Sequence, residues 1–343
     1  MAKINIKKAI LGVSSVMALF IVVAGAVYYW SPWPSALMWR YIWDKDGAAT
    51  NRALEQYVPA GVSAQLNISY DATDTDPKLD VFYPSTVDKN DEVLPTVVWV
   101  HGGSWISGSK DYIANYLRIL ASKGFTTVGV DYSLAPGSTY PTPVKQVNVA
   151  LGFLSKNAAR LHVDPSRFFL AGDSAGAQIA AQVANAITSP SYAADVGIVP
   201  TLEPPQLLGV VFHCGMYDTK LARFGRRGVL WSYFGTKDFV NDPRLSQFSV
   251  LDHVTSSFPP IFMSAASDDA LAPQSYALAK KVGGYGVPLD RLFFPPDSIP
   301  KVWHGFQFNL ETDAGKLALE RSVDFMKTRL QHDRAGGQTA GGG

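Results

Sequence analysis

The sequence predicts an α/β fold, with a mostly parallel eight-stranded sheet, helices on both faces and an N-terminal transmembrane helix in front. Three observations predict it. Short β-branched runs alternate with longer helical patterns between residues 61 and 332. Two of those runs end in glycine-rich segments, where a strand must turn sharply. Ala9 to Trp30 pass without a single charge, long enough to cross a hydrocarbon core of roughly 30 Å.

Taken in order, residues 1–30 begin with Lys3, Lys7 and Lys8, which favour a cytoplasmic N-terminus and leave the rest of the chain on the far side of the membrane. Tyr28, Tyr29, Trp30 and Trp33 suit a membrane interface and a retained single-pass anchor. Ala24-Gly25-Ala26 also suits signal cleavage, giving a secreted or periplasmic protein instead. Residues 31–60 read as a connecting helical segment that lies on the membrane or packs on the domain. The catalytic domain spans 61–332.

Within it, strands are expected at Ala64–Tyr70, Leu79–Tyr83, Thr96–Val100, Thr126–Asp131, Arg167–Ala171, Leu208–Cys214, Pro260–Ala265 and Arg291–Phe294. The short link from Asp71 to Lys78 makes the first two an antiparallel pair at one edge. Helices fall near Tyr112–Lys123, Pro143–Ala159, Ala175–Ile187, Pro273–Val282 and Ala314–Leu330. The aromatic-rich stretch Met216 to Phe248 is expected to form part of a cap or to pack in the core. Arg223, Arg226 and Arg227 read as a solvated cluster. Residues 333–343, rich in Gly and Ala, read as a flexible tail.

With 30 basic and 29 acidic residues the net charge is +1, so no global field gathers nucleic acid, and nucleic acid is not an expected partner. The single cysteine, Cys214, has no disulfide partner, is a poor metal site, and reads as a buried strand residue.

The chemistry is carried by Phe168-Phe169-Leu170-Ala171-Gly172-Asp173-Ser174-Ala175-Gly176, an apolar strand followed by G-x-S-x-G and an Ala-rich helix. This is the context of a nucleophile elbow, in which Ser174 sits on a tight strand-to-helix turn and the flanking glycines allow close approach. Upstream, Val97 to Val100 leads into His101-Gly102-Gly103-Ser104-Trp105, a loop able to aim backbone amides at an oxygen. In the α/β-hydrolase fold the amide after the nucleophile, here Ala175, joins that loop, here Gly102 and Gly103, as an oxyanion hole. The same fold orders its triad Ser, acid, His. His101 and His162 precede Ser174, His213 sits in a strand pattern, His253 precedes the acid-bearing strand and His332 is terminal. His304 therefore reads as the base. Asp268 and Asp269 compete as the acid. Asp269, followed by Ala270-Leu271, is preferred, and Asp268 reads as a cap for the helix near Pro273.

Together with Asp131-Tyr132-Ser133-Leu134-Ala135-Pro136 and His304-Gly305-Phe306, these segments resemble the alpha/beta-hydrolase fold-3 group, which includes hormone-sensitive-lipase-like esterases and their carboxylesterase and arylformamidase relatives. The likeness runs from about Leu79 to Leu330. Ser104 stands where lipase-like members carry a third glycine, so the H-G-G-x-W form lies nearer the carboxylesterase side. The resemblance implies that Asp131 and Tyr132 brace the oxyanion loop. It further implies a serine carboxylesterase acting on short to medium acyl esters, with Ser174, Asp269 and His304 as triad. No cofactor or metal is implied, because every reacting group is a side chain. An amidase or peptidase, a membrane-associated acyltransferase and a catalytically silent binding module are the rival expectations.

Overall fold

The computed structural model describes residues 6–74, 77–89, 92–219 and 227–340. Its centre is one eight-stranded sheet: β1 (Val62–Ser69), β2 (Lys78–Pro84), β3 (Leu94–Val100), β4 (Thr126–Val130), β5 (Val163–Asp173), β6 (Leu207–His213), β7 (Ile261–Ala265) and β8 (Leu289–Phe293). The order across the sheet is β1-β2-β4-β3-β5-β6-β7-β8. Only β2 runs against its neighbours, pairing antiparallel with β1 and β4, and every other pair is parallel. The expected edge hairpin is therefore present, with a register shift between Gln65 and Ile68.

Two helices precede the sheet, α1 (Ile6–Trp30) and α2 (Trp33–Leu54). Between and after the strands lie α3 (Ala114–Ala121), α4 (Thr142–Lys156), α5 (Ser174–Thr188), α6 (Pro190–Val196), α7 (Arg227–Phe234), α8 (Arg244–Phe248), α9 (Val250–His253), α10 (Ala272–Gly284) and α11 (Asp313–Ala340). Side chains alternate across a strand, so β3 sends Val98 and Val100 into one core layer and Val97 and Trp99 into the other. The first layer is closed by α4, α5 and α10, with Val144, Val147, Ile179, Val183 and Leu278. The second is closed by α3 and α11, with Tyr116, Leu117, Val323 and Met326. Both faces of the central strands are thus covered, which is why β3 and β5 read as continuous apolar runs rather than alternating ones. Each such buried Val, Leu or Phe contributes roughly 1.5–3 kcal/mol.

The final helix reaches Ala340, through most of the stretch expected to be a flexible tail, since no proline interrupts it; the last three residues lie outside the described ones. In the 216–248 stretch, Tyr217, Tyr233, Phe234, Phe239 and Phe248 are buried, so these rings pack the domain. Phe224, Arg223 and Arg226 lie outside the described residues.

Candidate active site

At the end of β5 the chain turns into α5 with no loop between them. Ser174 sits on that turn at φ 52°, a left-handed conformation that costs a non-glycine residue about 1–3 kcal/mol. The turn is possible because of its glycines. A Cβ on Gly176 would lie 2.0 Å from the Val100 carbonyl oxygen, and one on Gly172 would lie 2.7 Å from the carbonyl carbon of Gly176. The hydroxyl of Ser174 is thereby held at the head of a helix, at the carboxyl end of the central strand.

The histidine and acid come from elements far along the chain. Asp269 follows β7 and His304 follows β8, and Nδ1 of His304 lies 2.7 Å from Oδ2 of Asp269. The other carboxylate oxygen of Asp269 accepts the Leu271 amide at 2.8 Å. The acid is thus fixed at both oxygens, and its side chain is only 4% exposed. Asp268 does not cap α10, whose N-terminal flanking residue is Leu271 without a side-chain cap. Its backbone instead bridges to the 302–303 segment, the Asp268 amide donating to the Val302 carbonyl at 2.9 Å. That bridge ties the loops that carry Asp269 and His304 together.

The H-G-G-x-W loop packs against Ser174 from β3. Gly103 has φ 112°, and a Cβ there would lie 2.1 Å from the Ser107 carbonyl oxygen, so only glycine fits. Gly102 meets a partner within the protein. Its amide donates to Oδ1 of Asp173 at 3.2 Å, and the Trp99 indole N–H donates to the same oxygen at 3.0 Å. The Gly102 donor is therefore engaged by the protein, a role that the x of G-x-S-x-G does not advertise in sequence. Burial pushes the Asp173 carboxyl above its usual range, against the two hydrogen bonds.

His101 is a loop-ordering residue: it stacks on Tyr132 at 4.3 Å, and its Nδ1 lies 2.7 Å from the Gly102 carbonyl oxygen. The Tyr132 hydroxyl donates to the His101 carbonyl at 3.0 Å, and Asp131 accepts the Lys110 amide at 2.6 Å. Of the remaining histidines, His213 is fully buried against Trp99, and burial pulls its pKa down to about 3. His253 donates from Nε2 to the Ser246 carbonyl at 2.8 Å and lies away from Ser174's cleft.

Comparison with known proteins agrees with this fold. A family profile described as alpha/beta hydrolase fold matches residues 97–308. The carboxylesterase NlhH of Mycobacterium tuberculosis is 30% identical over 284 residues, covering 78% of this chain and 82% of its own length. The chain belongs to the alpha/beta-hydrolase fold-3 family. Among solved structures, the inhibited esterase B of Lactobacillus rhamnosis superposes with a TM-score of 0.73 at 24% identity, covering 88% of this chain and 99% of its own. The esterase LipW of Mycobacterium marinum gives a TM-score of 0.68 at 18% identity, over 87% of this chain and 90% of its own. These two likenesses show the fold.

In this alpha/beta-hydrolase the surroundings of the acid and base differ from expectation in two places. Cys214 is buried, but it lies one residue past β6 with φ 50° rather than inside the strand. Its sulfur, a carboxylate oxygen of Asp269 and a ring nitrogen of His304 all fall within 4.8 Å of one another. Such a set has the donor types of a metal centre. The 2.7 Å separation of Nδ1 and Oδ2, however, is a charge-assisted hydrogen bond, shorter than the spacing of two ligands on one tetrahedral ion. The group reads as an acid–base unit with a thiol beside it. Burial lowers the His304 pKa, but the Asp269 hydrogen bond and the contact with Cys214 outweigh it, so the imidazole is held above its ordinary value. Burial raises Asp269, and the His304 hydrogen bond overcomes that, holding the carboxylate below its ordinary value.

The second difference is α2. A cleft of about 680 Å³ holds Ser174, His304, Asp269 and the Gly102–Gly103 loop, and its opposite wall is Trp39, Trp43, Asp46 and Thr50. Trp39 and Trp43 stack at 5.2 Å, as residues four apart on one helix face can. The helix is stapled to the loops after β3 and β4: Arg40 donates to the carbonyls of Ile106 and Ala135, and Asp44 accepts the Gly108 amide at 2.9 Å. What read as a connecting segment is a wall of the site. The signal was the Trp-x-x-x-Trp spacing at 39 and 43, which the charges around it obscured.

Proposed function

We propose that this protein is a serine carboxylesterase that works through an acyl-enzyme on Ser174. His304 takes the Ser174 proton as the hydroxyl attacks the ester carbonyl, then returns it to the leaving alcohol and repeats the cycle with water. Asp269 keeps His304 in the tautomer that carries hydrogen on Nδ1 and stabilises the imidazolium that forms. The amides of Gly103 and Ala175 are the proposed oxyanion donors, with Gly102 acting through Asp173 to hold the loop. The observation that carries this reading is the Nδ1–Oδ2 hydrogen bond of 2.7 Å within the same cleft as a serine on a glycine-flanked elbow.

The likeness to a carboxylesterase over most of the chain favours esters over amides. In the same reading, residues 61–332 and α2 form the catalytic unit. Helix α1, whose Val13–Trp30 stretch is long and apolar enough to cross a membrane, is its anchor or signal segment. That leaves the catalytic unit outside the cytoplasm. The test is hydrolysis of p-nitrophenyl esters from acetate to palmitate beside matched p-nitroanilides. Esters should be cleaved at least a hundredfold faster, and faster anilide cleavage would replace esterase with amidase.

A further inference from the structure

Helix α2 has two different sides. At 100° per residue, Trp39, Trp43, Asp46 and Thr50 share the side that walls the cleft. Leu37, Met38 and Tyr41 share the other side, and they are 49%, 50% and 71% exposed. Trp33 and Ile42 border this stripe and are exposed as well. The exposure of large apolar side chains stops at Asp44 and Lys45, and the outer face beyond them carries Ala48, Ala49 and Arg52.

At its other end the stripe continues into Tyr28, Tyr29 and Trp30, the exposed end of α1, whose 18-residue apolar stretch is 0% buried. The junction is fixed to the end of α7. The Lys237 ammonium sits 3.6 Å from the Tyr29 ring centroid and 4.7 Å from that of Trp231, and it donates to the Tyr29 carbonyl. An apolar patch this continuous is rare on a soluble surface. Its composition, Trp and Tyr beside an apolar span with charges beginning one turn further on, is that of a bilayer interface.

We infer that the outer face of α2 and the end of α1 are seated together in the headgroup–acyl boundary of a lipid bilayer, and that the cleft draws its substrate from that bilayer, a membrane-resident acyl ester such as a glyceride. The substrate half of this inference rests on the serine-esterase reading of the cleft. Its physical basis is the continuity of one helix: the lipid face and the Trp39–Trp43 wall are opposite sides of a cylinder about 10–12 Å across. Arg40 and Asp44 lock that cylinder to the loops after β3 and β4. Trp39, a wall residue of the cleft, is itself 40% exposed and brings the rim of the cleft to the surface of the same helix.

The test uses the full chain in phosphatidylcholine vesicles containing dioleoylglycerol, with p-nitrophenyl butyrate as the soluble substrate. The triple variant Leu37→Glu, Met38→Glu, Tyr41→Glu should lose at least tenfold in dioleoylglycerol hydrolysis and stay within twofold on butyrate. Equal rates of dioleoylglycerol hydrolysis in wild type and variant would overturn the inference, as would a wild type that cleaves butyrate and leaves dioleoylglycerol intact. Seating is read separately with an environment-sensitive fluorophore on Tyr41→Cys and, as the control, on Val199→Cys; Cys214 is buried and does not compete. Val199 is exposed in the connection that enters β6, at the opposite end of the sheet from Ser174. Emission should shift to the blue with vesicles only at position 41, and an unshifted label there overturns the seating whatever the rates. A wild type inactive on both esters with a shifted label at 41 would sink the esterase reading and the substrate class with it, while supporting the seating.

Discussion

Replacing Asp269 by Asn changes one atom in the best-defined contact of the site. The retained amide oxygen can still accept the Leu271 amide at the position Oδ1 occupies now. That leaves the new NH2 group facing Nδ1 of His304, where Oδ2 stands at 2.7 Å. Two donors cannot share a hydrogen bond, so His304 is driven to the tautomer with hydrogen on Nε2 and its lone pair on Nδ1. The nitrogen that should take the Ser174 proton then has no lone pair to offer. A wrong-tautomer base costs a factor of about 10⁴ in kcat, which is about 5 kcal/mol of transition-state stabilisation.

The same substitution has a second signature. His304 faces Asp269, Cys214 and, at longer range, Asp173, and its imidazole is held above the ordinary value because the first two outweigh burial. The base must be neutral to act, so wild-type kcat/KM rises with pH along a limb displaced to the alkaline side of pH 6.5. Asp269→Asn removes the largest raising contribution and leaves the Cys214 contact against burial, so the residual activity should show its limb at lower pH. The assay is p-nitrophenyl butyrate hydrolysis from pH 5 to 10, with protein-free blanks. Activity within tenfold of wild type, or a limb that does not move down, would refute the role given to this carboxylate.

Further predictions concern the supports of the site. Lys110 is buried with its ammonium 3.1 Å from Asp80, whose side chain is 4% exposed, beneath the loop that Lys110's own amide ties to Asp131. Burial raises the Asp80 carboxyl, so removing Lys110 leaves that carboxylate with the Asn67 amide at 2.7 Å as its remaining donor, whereas removing Asp80 leaves Lys110 its contacts with Asp111 at 2.7 Å and Asn67 Oδ1 at 3.0 Å. Lys110→Ala should cost about 3–5 kcal/mol by denaturant melts. The double variant Lys110→Ala, Asp80→Ala should recover part of that, and additive losses would count against a coupled pair. Arg40→Ala removes two charge-assisted hydrogen bonds, each of about 1.5–3 kcal/mol, between α2 and the carbonyls of Ile106 and Ala135. Proteolysis within residues 33–54 should accelerate and KM should rise. An unchanged cleavage rate would mean that α2 is held by its apolar contacts alone.

What was legible in the sequence was whatever repeats a local rule. The parallel strands declared themselves as apolar runs because both faces are covered, and the edge hairpin declared itself by its short link. Ser174 was legible because the glycines that make the turn possible are adjacent to it. The hydrogen-bonded pair of His304 and Asp269 was legible through chain order for the histidine and through the following Ala270-Leu271 for the aspartate. The tasks of α2, Cys214 and Gly102 were not legible, and for one physical reason. Each depends on a contact between elements distant in sequence: Arg40 with Ala135, Cys214 with His304, Gly102 with Asp173. The continuation of α11 to Ala340 was not legible, because glycine and alanine composition speaks of backbone freedom.

The central claim is that Ser174 carries the acyl group, and trapping that group tests it most directly. Full-length protein treated with a p-nitrophenyl alkylphosphonate should release one equivalent of p-nitrophenol, lose its esterase activity in step, and carry the phosphonate mass on the peptide containing Ser174. Ser174→Ala should take up none and fall by a factor of at least about 10⁴ in kcat. A stoichiometric adduct on another residue, or ester hydrolysis that survives in Ser174→Ala, would contradict the account.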